Sequence, residues 1–345
     1  MRTELFDYPL PPERIAQTPI EPRDASRLLV LRRETGCIEH RAFRDLPEYA
    51  RPGDLFVFND TRVLPARLYG EKETGARVEA LLLQRLGGGR WEALVSPGRR
   101  LPVGAEIAFG PQLRAVIEDR RPDGARQLRF ETPDGGPEAV DEAIHRLGKV
   151  PLPPYIHTEL SDPERYQTMF ARVEGSAAAP TAALHFTPAV LDTLREKGAR
   201  FAFVTLHIGI ATFRPVRAAH IEEHEMHAEW YSLPPETVDA IRRCEGRVVA
   251  VGTTVVRCLE SAAEGKEESR PVGMRAGSGL TNLYITPGHH FRVVDALLTN
   301  FHMPRSSLLV LVSAFAGREQ ILRTYQEALA RGYRFLSLGD AMWVE

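Results

Sequence analysis

The chain has 345 residues, 43% of them hydrophobic and 26% charged, with a formal net charge of -2 at pH 7. That length and balance predict a globular protein of one large domain or two ordinary ones, and they exclude a broad basic field for nucleic acid, so any such contact must rest on local patches. Three widely spaced cysteines, Cys37, Cys244 and Cys258, exclude a disulfide framework or a Cys-x-x-Cys metal pair and fit a reducing cytoplasm. The opening "MRTELFDYPLPPERIAQ" has no apolar signal region, and no stretch reaches the roughly 18 apolar residues of a membrane span. The expectation is a cytoplasmic protein with no membrane partner.

In chain order, Leu55 to Phe58 of "DLFVFNDTRVLPAR" read as a buried strand, with Asn59, Asp60, Thr61 and Arg62 at its end. From Val63 to about Lys149, "ARVEALLLQRL", "GRWEALVSPG", "GAEIAFG", "QLRAVIEDRR" and "ARQLRFETP" are short β-like runs between Gly, Pro and Asp turns. Such punctuation predicts a small antiparallel barrel or sandwich. "GKVPLPPYIH" is a stiff proline-rich return. "TPAVLDTLREKGAR" predicts a helix capped by Thr187, begun by Pro188 and ended by Gly198. "RFAFVTLHIG" predicts a buried strand, and "RAAHIEEHEMHAEW" has a helical pattern. "GRVVAVGTTVVRCLESA" and "VDALLTNFHMPRSSLLVLVSAFAG" each read as strand, turn, helix, and "GYRFLSLGDAMWVE" as a last strand and tail. The predicted fold class is α/β: a large mixed or largely parallel-sheet domain, residues 1–62 plus 151–345, with a smaller antiparallel β-barrel, residues 63–150, inserted in it.

Polar residues crowd the carboxyl ends of the predicted strands: Asn59, Asp60, Thr61 and Arg62; Thr205 and His207; Gly252, Thr253 and Thr254; Thr299, Asn300 and His302. Ligands of open α/β sheets bind at that edge. Turns and caps also favour Asn, Asp and Thr, so the argument rests on the set rather than on one residue. The Gly252-Thr253-Thr254 turn opens a helix and offers free amides to an anion, or is an ordinary cap. No GxGxxG and no GxxxxGK[ST] is present.

Histidines leave three readings open. His220, His224 and His227 fall on one face if their segment is helical, and His220-x-x-Glu223-His224 matches an inverted zinc-peptidase pattern. The same residues suit a solvated helix face, or a metal-free site in which a histidine exchanges protons near neutral pH. Ser176 lacks the GxSxG elbow of an acyl hydrolase. "VEGSAAAPTAALHF", Val173 to Phe186, looks like a linker by composition, yet its small side chains would let backbone approach a ligand, Pro180 stiffens it, and His185 stands at its end.

Eight motifs occur in order: "FDYPLPPERIAQTP…RDASRLLVL", "FNDTRVLPARLYG", "VPLPPYI", "YQTMFARVEGSAAAPTAALHFT", "TLHIGIATFRPV", "EEHEMHAE", "VAVGTTVVRCLES" and "TNFHMPRSSLLVLVSAFAG". On these the chain resembles, over essentially its whole length, the S-adenosylmethionine:tRNA ribosyltransferase-isomerases of queuosine biosynthesis. It departs from that pattern at Ala177, where the family usually has Val, and at Ala183 and Ala211, where it usually has Gly; each Gly-to-Ala change adds a methyl group and removes freedom at positive φ.

The resemblance implies a transferase that moves the ribosyl part of S-adenosylmethionine onto 7-aminomethyl-7-deazaguanine at the wobble position of tRNA and isomerises it. Epoxyqueuosine-tRNA forms while adenine and methionine leave. It implies S-adenosylmethionine as co-substrate, no permanent cofactor, no metal, and a cytoplasmic monomer.

Such a reaction needs a base for the amine, a base for the C–H beside the sulfonium, and an acid for departing adenine, which histidine can supply. His185 and His207 are the expected catalytic residues, with His227 and Glu229 in reserve. Asn59, Asp60, Thr61, Arg62, Tyr166, Gly175, Ser176, Thr181, Phe186, Thr253, Thr254, Arg257, Asn300 and His302 are expected to meet S-adenosylmethionine or the modified base. For the cationic sulfonium, Tyr166, Phe186, Phe213 and Asp60 are the nearest aromatic and acidic candidates. Arg14, Arg23, Arg27, Arg214 and Arg305, with Arg217 and Arg99-Arg100, are candidate tRNA phosphate contacts. Two rivals stand beside this reading: a zinc-dependent hydrolase on His220 and His224, and a non-catalytic RNA-binding module.

Overall fold

Every residue of Leu55–Asn59 (LFVFN), Val248–Val251 (VVAV) and Ala296–Asn300 (ALLTN) is buried, as strands covered on both faces must be. The computed structural model describes residues 1–98, 101–121, 124–133, 135–209, 215–264 and 273–345. These form two compact units. One comprises Met1–Arg62, Pro153–Val173 and Ala179–Glu345; the other comprises Val63–Leu152 and Glu174–Ala178.

The larger unit is built on a nine-stranded sheet. Across it the strands run Gly277–Thr281, Glu229–Leu233, Arg200–Leu206, Leu55–Asn59, Val248–Val251, Ala296–Asn300, Ala341–Val344, Arg27–Arg32 and Cys37–Ala42. The four strands from Arg200–Leu206 to Ala296–Asn300 pair in parallel, with Arg200 opposite Leu55, Val248 opposite Leu55 and Val249 opposite Ala296. Their carboxyl ends therefore share one edge. The flanking pairs are antiparallel apart from Arg27–Arg32 with Ala341–Val344, so the sheet is mixed. Phe43, Phe56, Phe58, Phe186 and Trp343 pack in one core cluster, with edge-on contacts such as Phe58 to Phe186 at 5.0 Å.

The helix predicted after Thr187 spans Pro188–Glu196; the Thr187 side chain accepts from Val190 N, and Gly198 follows at φ +85°. Gly252, at φ +100°, makes the turn between the Val248–Val251 strand and the Thr253–Ala262 helix, a conformation that glycine adopts without strain.

Two expectations fail here. The "RAAHIEEHEMHAEW" segment is not a helix: Ile221–Glu223 makes one short turn and Glu229–Leu233 is a strand. The N-terminal segment takes its backbone groups instead. Thr3 N donates to Ala219 O, Thr3 Oγ1 to Ala218 O and Ile221 N to Met1 O, which draws this stretch out. At the C-terminus the order of strand and tail is reversed. Residues 333–340 are irregular, held by Asp340, whose carboxylate accepts from Arg27 N and Arg334 N, and the strand is Ala341–Val344.

The smaller unit contains a closed barrel of Arg67–Lys72, Arg77–Gly87, Arg90–Ser96, Glu106–Ala108, Arg114–Arg120 and Arg126–Glu131. All its pairings are antiparallel. Alternate residues face inward: Val78, Ala80 and Leu82, then Ala115 and Ile117, then Leu128 and Phe130. The helix Pro137–Leu147 packs Val140, Ala143 and Ile144 into the same core. The sequence reading missed this helix, although Pro137 at its first turn, Gly148 after its end and the 140, 143, 144 spacing all announce it.

Candidate active site

The site grows from the shared strand edge. Asn59, last in its strand, donates from Nδ2 to Leu206 O (2.9 Å) and to Thr254 Oγ1 (3.3 Å). Its Oδ1 accepts from Leu206 N and Thr61 N. One buried amide thus ties two strand ends to the first turn of the Thr253–Ala262 helix, and Asn59 is a brace, not an open ligand group.

Asp60 is buried, and both its oxygens are taken. Thr205 Oγ1 donates to Oδ1 at 2.6 Å, and the Arg172 guanidinium donates to Oδ2 at 2.7 Å. Thr61 Oγ1 stands 2.8 Å from His207 Nδ1, and the His207 ring stacks on Trp230 with centroids 4.9 Å apart. Burial lowers the His207 pKa, with partial compensation from the Asp60 carboxylate. Among the described residues nothing hydrogen-bonds its Nε2.

Farther along the edge, Thr181 Oγ1 donates to Asn300 Oδ1 at 2.8 Å. Asn300 Nδ2 lies 3.3 Å from His185 Nε2 and 3.4 Å from Asp340 O. A carbonyl accepts only, so that atom is the donating amide nitrogen and His185 Nε2 accepts. His185 Nδ1–H then donates to Ser26 Oγ at 2.7 Å. The ring stacks on Phe43 at 5.0 Å, and burial, with Arg334 and Arg23 adding to it, pushes its pKa down to about 3. Both nitrogens of His185 are thus engaged within the protein. His302 Nε2 meets Thr299 Oγ1 at 2.9 Å, and burial pushes this ring too down to about 3.

A cavity opens between these groups. Thr181, Thr253, Thr254, Asn300 and His302 line it with Ala179, Pro180 and Ala182 of the small-residue stretch. A Cβ built on Gly252 would stand 3.7 Å from Ala182 Cβ, so the alanines let this segment lie on the helix-opening turn. Thr181–His185 forms a short 3-10 turn here, with Ala182 and Ala183 in the core cluster. In the smaller unit, Gly175 and Ser176 belong to the Val173–Ser176 strand, and Ser176 Oγ donates to Ala178 O.

Several expected contacts lie elsewhere. Arg257 pairs with Glu229 inside the protein and donates to Leu283 O and Thr281 O, so it is a structural ion-pair member rather than a substrate ligand. Glu229 also accepts from Gly209 N and does not support the exposed His227. Phe186 is core, 1% exposed, and the Tyr166 ring is wholly buried with its hydroxyl pushed up by desolvation; neither lines the cavity. Arg62 pairs with Glu164 at the surface. His220 meets Glu223 at 3.1 Å and His224 abuts Tyr284, and without a helix the two histidines lack the one-turn spacing of a zinc pair. Among the described residues no group of three His, Cys, Asp or Glu side chains is arranged to hold a metal ion.

Of the arginines, Arg23 donates to Gln167 O and Leu184 O beside a second hollow that also contacts His185. Arg27 lies over the Tyr333 ring at 3.8 Å and donates to Arg331 O, Arg14 rests against Gly332, and exposed Arg305 pairs with Asp7. Ala211, Phe213, Arg214 and Arg99-Arg100 fall outside the described residues. Sequence reasoning missed Ser26, Arg172, Trp230, Tyr155 and Ser337. The last two join hydroxyls at 2.6 Å on the cavity wall. Arg172 stands in the quoted "YQTMFARVEG" stretch, and at 112 residues from Asp60 along the chain nothing local marks it as the partner of that carboxylate.

A mixed α/β sheet with an uncharged, hydroxyl- and amide-lined cavity at its parallel strand ends, accompanied by a closed β-barrel, defines a two-unit α/β protein whose cavity is the candidate site for a small molecule. The model of the "Queuosine biosynthesis protein" family matches residues 3–344, and the chain belongs to that family. It is 55% identical over its full length, and the full length of the relative, to the S-adenosylmethionine:tRNA ribosyltransferase-isomerase of Moorella thermoacetica. It is 51% identical, again over both full lengths, to the enzyme of that name from Thermotoga maritima. The crystal structure of S-adenosylmethionine tRNA ribosyltransferase from Thermotoga maritima aligns over 99% of this chain and all of its own, with 42% identity and a TM-score of 0.56.

Proposed function

We infer that this chain is a transferase that passes the ribosyl moiety of S-adenosylmethionine to tRNA and isomerises it. The observation that carries this is the 55% identity, without truncation on either side, to an S-adenosylmethionine:tRNA ribosyltransferase-isomerase. We propose that the acceptor is 7-aminomethyl-7-deazaguanine at the wobble position, that epoxyqueuosine-tRNA is the product, and that adenine and methionine leave. S-adenosylmethionine is consumed as co-substrate, with no permanent cofactor. The working form is a monomer in the cytoplasm, where tRNA is.

His207 suits the base. Thr61 holds Nδ1, Trp230 fixes the ring plane, and burial keeps the imidazole neutral with Nε2 available to take the proton of the attacking ammonium. His185, engaged at both nitrogens, orients Asn300 and through it Thr181 at the cavity wall. Thr253, Thr254, Asn300 and His302 face the donor. Arg14, Arg27 and Arg305 are the proposed phosphate contacts, and the wobble base is unstacked to reach the edge.

The test is mass spectrometry of nucleosides from tRNA carrying 7-aminomethyl-7-deazaguanine after incubation with the chain and S-adenosylmethionine. Appearance of the epoxycyclopentanediol adduct supports the reading; unchanged tRNA under conditions active for the Moorella thermoacetica relative defeats it.

A further inference from the structure

No Asp, Glu, Lys or Arg lines the strand-end cavity among the described residues. Its one histidine, His302, is neutral far below pH 7 because burial holds its pKa down. A sulfonium, carboxylate or phosphate placed there would shed its hydration without a counter-charge, at a cost that unpaired buried ions do not recover. An uncharged ring suits it better. Ile208, Met303, Leu308 and Leu336 supply apolar wall.

The hydrogen-bonding groups left over in the cavity point the same way. Thr253 is 6% exposed, lines the cavity, and its hydroxyl makes no hydrogen bond among the described residues. The hydroxyl oxygen opens on the cavity rather than being sealed in the core, so a ligand can reach it and supply the missing partner. The backbone amides of Thr253 and Thr254, in the first turn of the Thr253–Ala262 helix, likewise lack an intrahelical acceptor. Among the described residues nothing hydrogen-bonds His302 Nδ1 either. Asn300 Oδ1, by contrast, is already occupied by Thr181. The free set is thus rich in donors. Adenine presents ring-nitrogen acceptors around most of its rim, whereas the guanine-type edge presents N–H donors that want a carboxylate, and none is here.

We propose that this cavity is the adenine subsite, which seats the purine of S-adenosylmethionine against the Gly252-Thr253-Thr254 turn and leaves the charged methionyl sulfonium end outside. The assignment rests on the use of S-adenosylmethionine inferred above. Donors at the helix opening then face the ring on which negative charge builds as the glycosidic electron pair passes to departing adenine.

Calorimetric titration of the full chain with free adenine tests it. Adenine should bind, Thr253→Val should weaken it by about tenfold, the loss of one hydrogen bond in a buried site, and Leu308→Trp should abolish it by filling the space. Thermal unfolding of both variants checks that they are folded, and tighter wild-type binding than in either folded variant supports the proposal. Adenine binding that neither substitution alters overturns it. So does binding of free 7-aminomethyl-7-deazaguanine, instead of adenine, with the same sensitivity, which would assign the cavity to the acceptor base. A wild-type chain that turns over S-adenosylmethionine but shows no adenine binding at millimolar concentration overturns the subsite alone. Failure of turnover with adenine binding intact and Thr253-dependent overturns the inferred reaction and leaves the subsite standing.

Discussion

Asn300 Nδ2 approaches His185 Nε2 to 3.3 Å, and this contact fixes what His185 does. With Nε2 accepting and Nδ1–H donating to Ser26, the imidazole has no nitrogen left for a substrate proton. It is a positioning residue. His185→Gln, which keeps a donor and an acceptor, should leave the shape of the kcat/KM pH profile unchanged while raising KM. A lost acid limb in that variant would return His185 to the role of base.

The acid limb belongs to His207. Its neutral form is the active one, so activity falls as pH drops through its pKa, and burial sets that pKa below the ordinary value of about 6.5. His207→Gln should lower kcat by about 10²–10⁴-fold, the usual contribution of a positioned base, and remove the limb. Rate measurements from pH 5 to 9 on tRNA already bound check both.

Glu229 and Arg257 form an ion pair with side chains 5% and 4% exposed. Removing one partner leaves a buried, uncompensated charge. Glu229→Gln should cost about 3–5 kcal/mol in urea unfolding, and Glu229→Gln with Arg257→Met should recover part of it. A double-variant loss equal to the sum of the Glu229→Gln and Arg257→Met losses would show that the pair is not coupled.

Asp54 is fully buried and accepts from the Arg247 guanidinium and from the backbone of Arg51 and Arg247. Burial alone would raise its pKa; these donors outweigh that and hold it below the usual carboxylate value. The folded state therefore binds the Asp54 proton more weakly than the unfolded chain. The resulting stability is complete above the unfolded value of about 3.9 and is lost as pH falls through the lower folded one. The Tm difference between wild type and Asp54→Asn should be largest at neutral pH and shrink below pH 4.

Much of the frame was legible because periodicity and punctuation write it plainly. Leu55–Asn59, Thr187 with Pro188, and the Gly252 turn declare themselves locally. The crowded strand ends were legible too, since Asn59, His207, Thr254 and Asn300 each follow an apolar run. What was not legible depends on long-range pairing. Nothing near His220 says that Met1 and Thr3 will take its neighbours' backbone, and nothing near Arg257 says that Glu229 will neutralise it. Phe186 carries the same local signal whether it faces a ligand or Phe58.

Phosphate contact by several arginines predicts a steep fall of tRNA affinity with salt. Filter binding across 50–200 mM KCl should show it, with a shallower slope for Arg305→Gln. A flat response would remove the arginine contacts from the account.

Release of adenine tests the central claim most directly. The account predicts that the chain liberates adenine from S-adenosylmethionine only when tRNA carrying 7-aminomethyl-7-deazaguanine is present, one adenine per modified tRNA, and equally well in EDTA. Release without that tRNA, or loss of release in EDTA with recovery on adding zinc, would contradict it.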